Sequence, residues 1–436
     1  MRHIAIVGSG PAGFYAAEAA LKALGPDARV DILDRLPTPY GLVRAGVAPD
    51  HQSIKEVVRR YEAVALDPRV RFVGLVDVGV DVTVDELLSC FDDVILATGA
   101  PRDRRLGIPG EDLPGVVGSA AFVGWYNGHP DFRDLAPPLD HPTVVVIGNG
   151  NVAIDCARIL ARTPDELASS DIAQHALEAL RKAQVRTIRL VGRRGPHQVS
   201  FTLKELGELG ELDRATPWVE AADFPPPEAD LALEPGQRRV VEVLRRFAAT
   251  GPDGRRPIVV RFDFFRRPAR ILGRERVEAI EVVPTRLDET GRAVDAGPAE
   301  VIPCGLVISA IGYRTAPIPG VAFDEREGRF ANEDGRIGPR LWCVGWARRG
   351  PSGTIGTNRT DAFAVVERLA TTPPAGRPGR VAFDRLLVAR GIATSDFADW
   401  RRIDALEVAR ARPGAPREKV VDLGELRRVA LGAPVA

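Results

Sequence analysis

The chain has 436 residues, and its 59 basic and 59 acidic side chains leave a formal net charge of zero. This length predicts two or three domains, and the zero charge argues against bulk attraction to nucleic acid or to an anionic membrane. The sequence contains no apolar run of the roughly 18 residues needed for a membrane-spanning helix, so integral membrane proteins are disfavoured.

A glycine-rich turn follows the first predicted strand of the chain. Glycines stand at Gly8, Gly10 and Gly13, after the apolar run Ile4–Val7 and before an alanine-rich stretch with helical character. Such a turn aims backbone N–H groups and the positive end of the helix at a pyrophosphate. The next predicted strand ends at Asp34, which is where an acid binds ribose hydroxyls. We therefore predict a dinucleotide site of the FAD type.

A second glycine-rich turn begins 140 residues after the first, at Gly148. It continues through Gly150 and has Ala153 at the third small position. The next predicted strand leads to Arg193 and Arg194 instead of a carboxylate. A guanidinium makes paired, charge-assisted hydrogen bonds to a 2′-phosphate, so this turn predicts an NADP(H) site. A solvated basic turn is the alternative interpretation of the two arginines.

Strands and helices alternate around both turns, which predicts parallel sheets covered on both faces. We expect an α/β fold with two Rossmann-like dinucleotide-binding domains, in the two-domain architecture of glutathione reductase. The FAD-binding domain is predicted at 1–106 and 317–436, the latter including a C-terminal arm, with the NADP-binding domain inserted at 107–316. Alternation in Val259–Phe265 and Val277–Val283 predicts a β-rich insertion within it.

The four cysteines stand alone in the sequence. No two of them have C-x-x-C spacing, which argues against a redox-active disulfide, a zinc site or an endogenous iron–sulfur cluster. We expect no bound metal and four buried, inert thiols. They are Cys90, Cys156, Cys304 and Cys343.

Four longer motifs surround the fingerprint residues. They occupy 41–51 (GLVRAGVAPDH), 122–127 (FVGWYN), 192–196 (GRRGP) and 345–353 (GWARRGPSG). Together they resemble the adrenodoxin reductase-like ferredoxin–NADP(+) reductase family, and the likeness covers nearly the whole chain. The resemblance implies an FAD-containing enzyme in which hydride passes from NADPH to FAD and single electrons then pass to an iron–sulfur ferredoxin.

The resemblance also implies which residues contact each cofactor. The implied FAD contacts are Ala12, Asp34, Leu42, Val78, Trp346, Gly353, Thr354 and Ile355. The implied NADP(H) contacts are Asn149, Gly150, Asn151, Val152, Arg193, Arg194, Glu205 and Gly353. Polar groups implied near the nicotinamide and the flavin are His51, Asp155 and Glu208, which position the nicotinamide or manage protons. Relatives usually carry Glu where this chain has the shorter Asp34.

The resemblance further implies an acidic iron–sulfur ferredoxin as the electron acceptor. Arg238, Arg239, Arg245 and Arg246 fall at helical spacing and predict one basic face on which it docks. A solvated helix face is the alternative interpretation. We expect no nucleic-acid partner, and the oligomeric state stays open, with a monomer as one option.

Two other functions remain open at this point. One is a different NADPH-dependent flavoprotein reductase, with a quinone or dye as acceptor. The other is a non-catalytic flavoprotein that keeps both fingerprints without reducing its flavin. The first predicted strand begins at about Ile4, which leaves no room for a signal or transit peptide, so a cytoplasmic location is expected.

Overall fold

The structure is a computed structural model and describes residues 1–252 and 254–432. It divides into two units. Unit 1 comprises Met1–Arg102, Asn127–Arg133 and Tyr313–Ala436, and unit 2 comprises Asp103–Tyr126 and Asp134–Gly312. Residue 253 and residues 433–436, which fall inside the predicted domains, lie outside the described residues.

The bounds of the regular elements are as follows. The strands are β1 (Arg2–Val7), β2 (Ala28–Leu33), β3 (Val70–Val73), β4 (Asp93–Leu96), β5 (Arg102–Asp103), β6 (Val116–Gly118), β7 (Thr143–Ile147), β8 (Thr187–Val191), β9 (Ala215–Val219), β10 (Ile258–Asp263), β11 (Arg266–Leu272), β12 (Ala279–Leu287), β13 (Ala293–Asp295), β14 (Glu300–Pro303), β15 (Leu306–Ser309), β16 (Tyr313–Arg314), β17 (Phe323–Asp324), β18 (Arg329–Phe330), β19 (Arg336–Gly338) and β20 (Leu341–Cys343). The α-helices are α1 (Pro11–Leu24), α2 (Leu42–Ala45), α3 (Gln52–Lys55), α4 (Val58–Ala65), α5 (Val84–Cys90), α6 (Ser119–Tyr126), α7 (Asn151–Ala161), α8 (Pro164–Ala168), α9 (Gln174–Arg181), α10 (Leu203–Gly210), α11 (Pro235–Thr250), α12 (Trp346–Arg349), α13 (Thr357–Ala370), α14 (Arg380–Ala389), α15 (Phe397–Ala409) and α16 (Leu423–Ala430).

Unit 1 is built on a six-stranded sheet of order β19-β20-β4-β1-β2-β3. All neighbours pair in parallel except β19 and β20. Side chains alternate across a strand, so Ile4 of β1 joins one apolar cluster while Ala5 joins another. The first cluster contains Phe14 of α1, and the second contains Phe383 of α14. The sheet is therefore covered on both faces, as the alternation of strands and helices predicts.

The C-terminal arm belongs to the core of unit 1. Trp400 of α15 and Leu426 of α16 are buried in the same apolar cluster as β1 and α1. At the start of α14, Arg380 donates from Nε to Oδ1 of Asp31 at 2.5 Å, and Asp31 is buried in β2. The arm thus completes the covering of the six-stranded sheet of unit 1.

Unit 2 is built on a second six-stranded sheet, of order β6-β15-β7-β8-β10-β9, in which all pairs are parallel. The β-rich insertion is confirmed for β12, which pairs antiparallel with β11, β13 and β14. The prediction that Val259–Phe265 belongs to this insertion is wrong, because β10 lies inside the parallel sheet. Its alternation has a local cause: Arg261 points away from buried Phe262 and stacks on Trp218 with its guanidinium carbon 4.5 Å from the ring centre.

The predicted fold class is confirmed by this architecture. Each unit has a largely parallel sheet between helices, and each sheet carries one glycine-rich turn at the end of a central strand. All of unit 2 lies in the sequence between the first and last parts of unit 1, and the short unit 1 segment Asn127–Arg133 interrupts it. In the part of the chain that the structure describes, no helix is both long and apolar enough to cross a membrane.

Candidate active site

The first glycine turn packs tightly everywhere except at its middle glycine. A Cβ on Gly8, whose φ is +110°, would lie 2.4 Å from the carbonyl oxygen of Ala97. A Cβ on Gly13 would lie 2.0 Å from the carbonyl oxygen of Gly8, so α1 starts directly against the turn. At Gly10 the nearest atom to such a Cβ is 3.9 Å away. The open space at Gly10 suits a phosphate, as the fingerprint requires.

Asp34 stands directly after β2 and is held against this turn. Its Oδ2 accepts from Ser9 Oγ at 2.5 Å and from Ser9 N at 3.0 Å, and its Oδ1 accepts from Leu36 N at 3.0 Å. Ser9 is fully buried, so its hydroxyl has no competing water. The acid is therefore fixed beside the phosphate turn, and Ser9 is a contact that sequence reasoning missed. A hydroxyl residue between the first two fingerprint glycines was the available signal.

Two of the long motifs come close to the first turn within unit 1. A Cβ on Gly41 would lie 2.9 Å from Cα of Gly10, and a Cβ on Gly345 would lie 2.5 Å from Cβ of Ala12. Leu42, which follows Gly41, is 46% exposed and begins α2. The structure thus gathers the Ala12 and Leu42 segments around one open turn.

The remaining residues expected at FAD lie further along unit 1. Trp346 donates from Nε1 to the carbonyl oxygen of Ser352 at 3.0 Å, which folds its motif back on itself. Gly353, Thr354 and the half-buried Ile355 then lead into α13. Val78 is buried in the apolar cluster on the other side of the sheet from Ala12. His51 lies just before α3, and its backbone N–H donates to the carbonyl oxygen of Ala48 at 3.0 Å.

The second glycine turn repeats this arrangement within unit 2. A Cβ on Gly148, whose φ is +137°, would lie 2.3 Å from the carbonyl oxygen of Ala310. At Gly150 the nearest atom to a Cβ would be Ser200 Oγ at 3.5 Å, which leaves room for a phosphate. Helix α7 begins immediately afterwards, so its positive end faces the same space.

A loop at 195–202 borders the second turn and fixes its asparagines. Ser200 Oγ donates to the carbonyl oxygen of Asn149 at 2.8 Å, and Thr202 N donates to Oδ1 of Asn151 at 2.8 Å. The Thr202 hydroxyl also donates to Glu205, which links that residue to the turn. Val152 is half-buried in the first turn of α7. The expected NADP(H) contacts Asn149, Asn151 and Glu205 are therefore one connected group, and Ser200 and Thr202 were missed.

Arg193 and Arg194 follow β8 with both side chains exposed. Their backbone is held in place, because the Thr285 hydroxyl donates to the carbonyl oxygen of Arg193 at 2.8 Å and Phe265 N donates to that of Arg194 at 3.3 Å. Neither guanidinium has a hydrogen-bond or ion-pair partner among the described residues. Two fixed but unpaired cations fit the 2′-phosphate of NADP(H).

Asp155 and Glu208 are brought together in unit 2 by a residue that sequence reasoning missed. Arg158 has no side-chain exposure, and its Nη2 donates to Oδ1 of Asp155 at 2.9 Å. Its Nε lies 3.2 Å from Oε2 of Glu208, a residue of α10. The carboxylates themselves are 18% and 19% exposed. One buried cation therefore holds two partly exposed anions.

Two members of the expected four-arginine face on α11 have partners within unit 2. Arg238 Nη2 donates to the carbonyl oxygen of Leu231 at 2.9 Å, and Arg245 Nε donates to Oδ2 of Asp230 at 2.6 Å. Both side chains thus hold the preceding loop to the helix. The exposed cations that remain are Arg239 and Arg246.

Comparison with known proteins yields closely similar relatives. Residues 2–188 match the family described as pyridine nucleotide-disulphide oxidoreductase. The mitochondrial NADPH:adrenodoxin oxidoreductase of Homo sapiens is 45% identical, over 98% of this chain and 91% of the human protein. NADPH-ferredoxin reductase FprA of Mycobacterium tuberculosis is 44% identical, over 99% of both chains. The solved structure of M. tuberculosis FprA in complex with NADPH matches with a TM-score of 0.93 and 43% identity, covering 99% of this chain and 100% of that one.

Proposed function

This chain belongs to the family of the NADPH:adrenodoxin oxidoreductases and NADPH-ferredoxin reductases, and we propose that it moves electrons from NADPH through FAD to an iron–sulfur ferredoxin. One observation carries the proposal beyond family membership. The two open glycine turns have opposite charge at the end of the following strand, Asp34 in unit 1 and Arg193 with Arg194 in unit 2. The first suits a free ribose and the second a 2′-phosphate.

We place FAD in unit 1 and NADP(H) in unit 2, in the predicted domains 1–106 with 317–436 and 107–316. The residues present fit both groups, because Gly10 and Gly150 leave open space where a phosphate must lie. The buried Thr98 Oγ1, in unit 1, has no hydrogen-bond partner among the described residues and supports a ligand there. Bound FAD supplies the hydride acceptor and the single-electron donor.

The protein's own contribution is binding and orientation. Ser9 and Asp34 are assigned to the ribose of FAD, and Arg193 and Arg194 to the 2′-phosphate of NADPH. The partly exposed carboxylates of Asp155 and Glu208 are assigned to the amide N–H groups of the nicotinamide, for which they are acceptors. His51 is assigned to proton management beside the cofactors. None of these side chains would form a covalent intermediate, because bound FAD and NADPH would supply the hydride chemistry.

Replacing His51 with alanine is therefore expected to slow FAD reduction only modestly. General acid–base assistance contributes about 10²–10⁴-fold where it is essential, and we expect a loss below about 10²-fold here. Stopped-flow mixing of the variant with NADPH measures the rate. A loss near 10⁴-fold with unchanged NADPH affinity would make proton transfer obligatory.

The four cysteine thiols should be dispensable for electron transfer from NADPH. All four cysteines are free and buried, and burial raises the pKa of Cys304 and of Cys343 to about 12. Burial also raises the pKa of Cys90 and of Cys156, which disfavours the reactive thiolate form. A folded variant without cysteines should keep NADPH-to-ferricyanide activity. Lost activity with FAD still bound would place a thiol in the mechanism.

The acceptor assignment is tested by salt. Raising the ionic strength from 0.01 to 0.15 M shortens the Debye length from about 30 to about 8 Å. If Arg239 and Arg246 attract an acidic ferredoxin, this screening should steeply slow ferredoxin-dependent cytochrome c reduction. Dye reduction, which bypasses docking, should change little. Arg239→Glu with Arg246→Glu should lower ferredoxin turnover and flatten its salt dependence.

The matched control for this test is Arg274→Glu, which reverses another exposed arginine of unit 2. It should leave the ferredoxin rate and its salt slope unchanged. If the double reversal behaves like this control, docking lies elsewhere.

If a quinone is reduced efficiently and ferredoxin is not, the enzyme is the other type of flavoprotein reductase. A cytoplasmic location and a monomeric state remain predictions.

A further inference from the structure

A fully buried arginine lies between the two carboxylates assigned to the nicotinamide. Arg158 is one helical turn after Asp155 on α7, and it reaches Glu208 on α10 with a different nitrogen. We infer that Arg158 is the positioning residue of the hydride-transfer site, because it sets where both carboxylates meet the nicotinamide amide. This inference rests on the proposed function.

The surroundings explain why a cation is needed there. The neighbouring side chains on both helices are apolar and buried: Cys156 and Ile159 on α7, and Leu206 and Leu209 on α10. Two carboxylates near one another repel when water does not separate them. The single positive charge of Arg158 offsets the repulsion between Asp155 and Glu208, and the three side chains together keep a net negative charge.

Only arginine fits both contacts at once. Its planar guanidinium spreads one charge over three nitrogens, and Arg158 donates a hydrogen bond from Nη2 to Asp155 while its Nε lies in ion-pair contact with Glu208 at 3.2 Å. A lysine keeps the charge but has one compact ammonium, which cannot keep two carboxylates on two helices in the same places. Misplacing a reacting group by about 1 Å lowers a rate by about 10²-fold, so the shape of the guanidinium itself matters.

The test compares Arg158→Lys and Arg158→Met with Arg214→Lys. Arg214 is the matched control because it bonds the end of the same helix through the carbonyl oxygens of Ala161 and Arg162, at 2.9 and 2.8 Å, and not through these carboxylates. We expect Arg158→Lys to slow NADPH reduction of bound FAD by about 10- to 100-fold. Arg214→Lys should leave this rate within about twofold of the wild type, as expected of a residue that does not touch the site.

A second readout separates positioning from general loss of structure. The fragment 2′,5′-ADP reaches the glycine turn and the arginines after β8 but has no nicotinamide. Arg158→Lys should bind this fragment as the wild type does, while its hydride-transfer rate falls. If the affinity for 2′,5′-ADP falls together with the hydride-transfer rate, Arg158 supports only the fold of unit 2, and the inference is overturned.

A double variant completes the test. If Arg158 acts through Glu208, Arg158→Lys combined with Glu208→Gln should be about as slow as the slower single variant, since coupled residues are not additive. The inference would be overturned if the rate losses of the two single variants multiply in the double variant, or if Arg158→Lys reduces FAD at the wild-type rate. Should Arg158→Met fail to fold, the lysine variant still decides it. A wild-type protein that NADPH does not reduce would instead refute the proposed function.

Discussion

Replacing Arg193 and Arg194 together with alanine is expected to raise the KM for NADPH by about 10²–10⁴-fold while leaving NADH almost unaffected. A hydrogen bond to a charged group contributes about 1.5–3 kcal/mol, which is about 10- to 100-fold for each arginine. Both side chains are exposed, and no described residue pairs with either guanidinium. Their removal therefore takes away phosphate contacts without breaking an internal one.

Steady-state kinetics with both nucleotides measures this effect. Arg274→Ala is the control, since it removes an equally exposed arginine of the same unit. It should leave both KM values unchanged. Equal losses with NADPH and NADH in the double variant would show that the arginines support the fold and that the 2′-phosphate binds elsewhere.

The second large effect is on stability, and it concerns Glu407 of α15. This side chain is completely buried, yet its carboxylate forms ion pairs with two arginines. Its Oε1 lies 2.5 Å from Arg44 Nη2 and accepts from Val420 N at 2.9 Å, while its Oε2 lies 3.3 Å from Arg417 Nη1. Glu407→Ala leaves the largely buried Arg44 without its carboxylate partner, whereas Arg417 keeps Asp404, so the change should lower the free energy of unfolding by about 3–5 kcal/mol.

Urea unfolding of the variant measures this loss. Glu425→Ala is the control, because Glu425 pairs with Arg410 at the surface, and exposed pairs contribute at most about 1 kcal/mol. A Glu407→Ala variant no less stable than Glu425→Ala would contradict the account of the arm as part of the core of unit 1.

The same site predicts how stability depends on pH. Burial pushes the pKa of Glu407 upward, but Arg44, Arg417 and the Val420 N–H outweigh it and hold the pKa below its ordinary value. A lowered pKa in the folded state stabilises the protein above the unfolded pKa, and that contribution disappears as pH falls through the folded value. The stability difference between wild type and Glu407→Ala should therefore shrink on acidification below the ordinary glutamate range.

Much of the fold could be predicted because its signals are local. The glycine spacing at Gly8 and Gly148 follows from backbone geometry, and the charge after the next strand predicts which nucleotide each turn binds. The spacing of Arg238 and Arg245 predicts one exposed face, but their side chains donate hydrogen bonds to the carbonyl oxygen of Leu231 and the carboxylate of Asp230 on the preceding segment.

The missed residues are held by contacts between distant segments, which no periodicity reveals. Ser9 meets Asp34 across 25 positions of sequence, and Arg158 meets Glu208 across two helices. Glu407 meets Arg44 across 363 positions. Burial of an arginine or a glutamate depends on such partners, so a single sequence shows these residues only as ordinary helix charges.

Anaerobic mixing of the purified protein with NADPH, followed by the visible absorbance of its bound FAD, tests the central claim most directly. The account predicts that NADPH bleaches the flavin absorbance rapidly, that NADH does so far more slowly, and that adding an oxidised iron–sulfur ferredoxin restores it. A flavin absorbance that NADPH leaves unchanged would contradict the account and favour a non-catalytic nucleotide-binding flavoprotein.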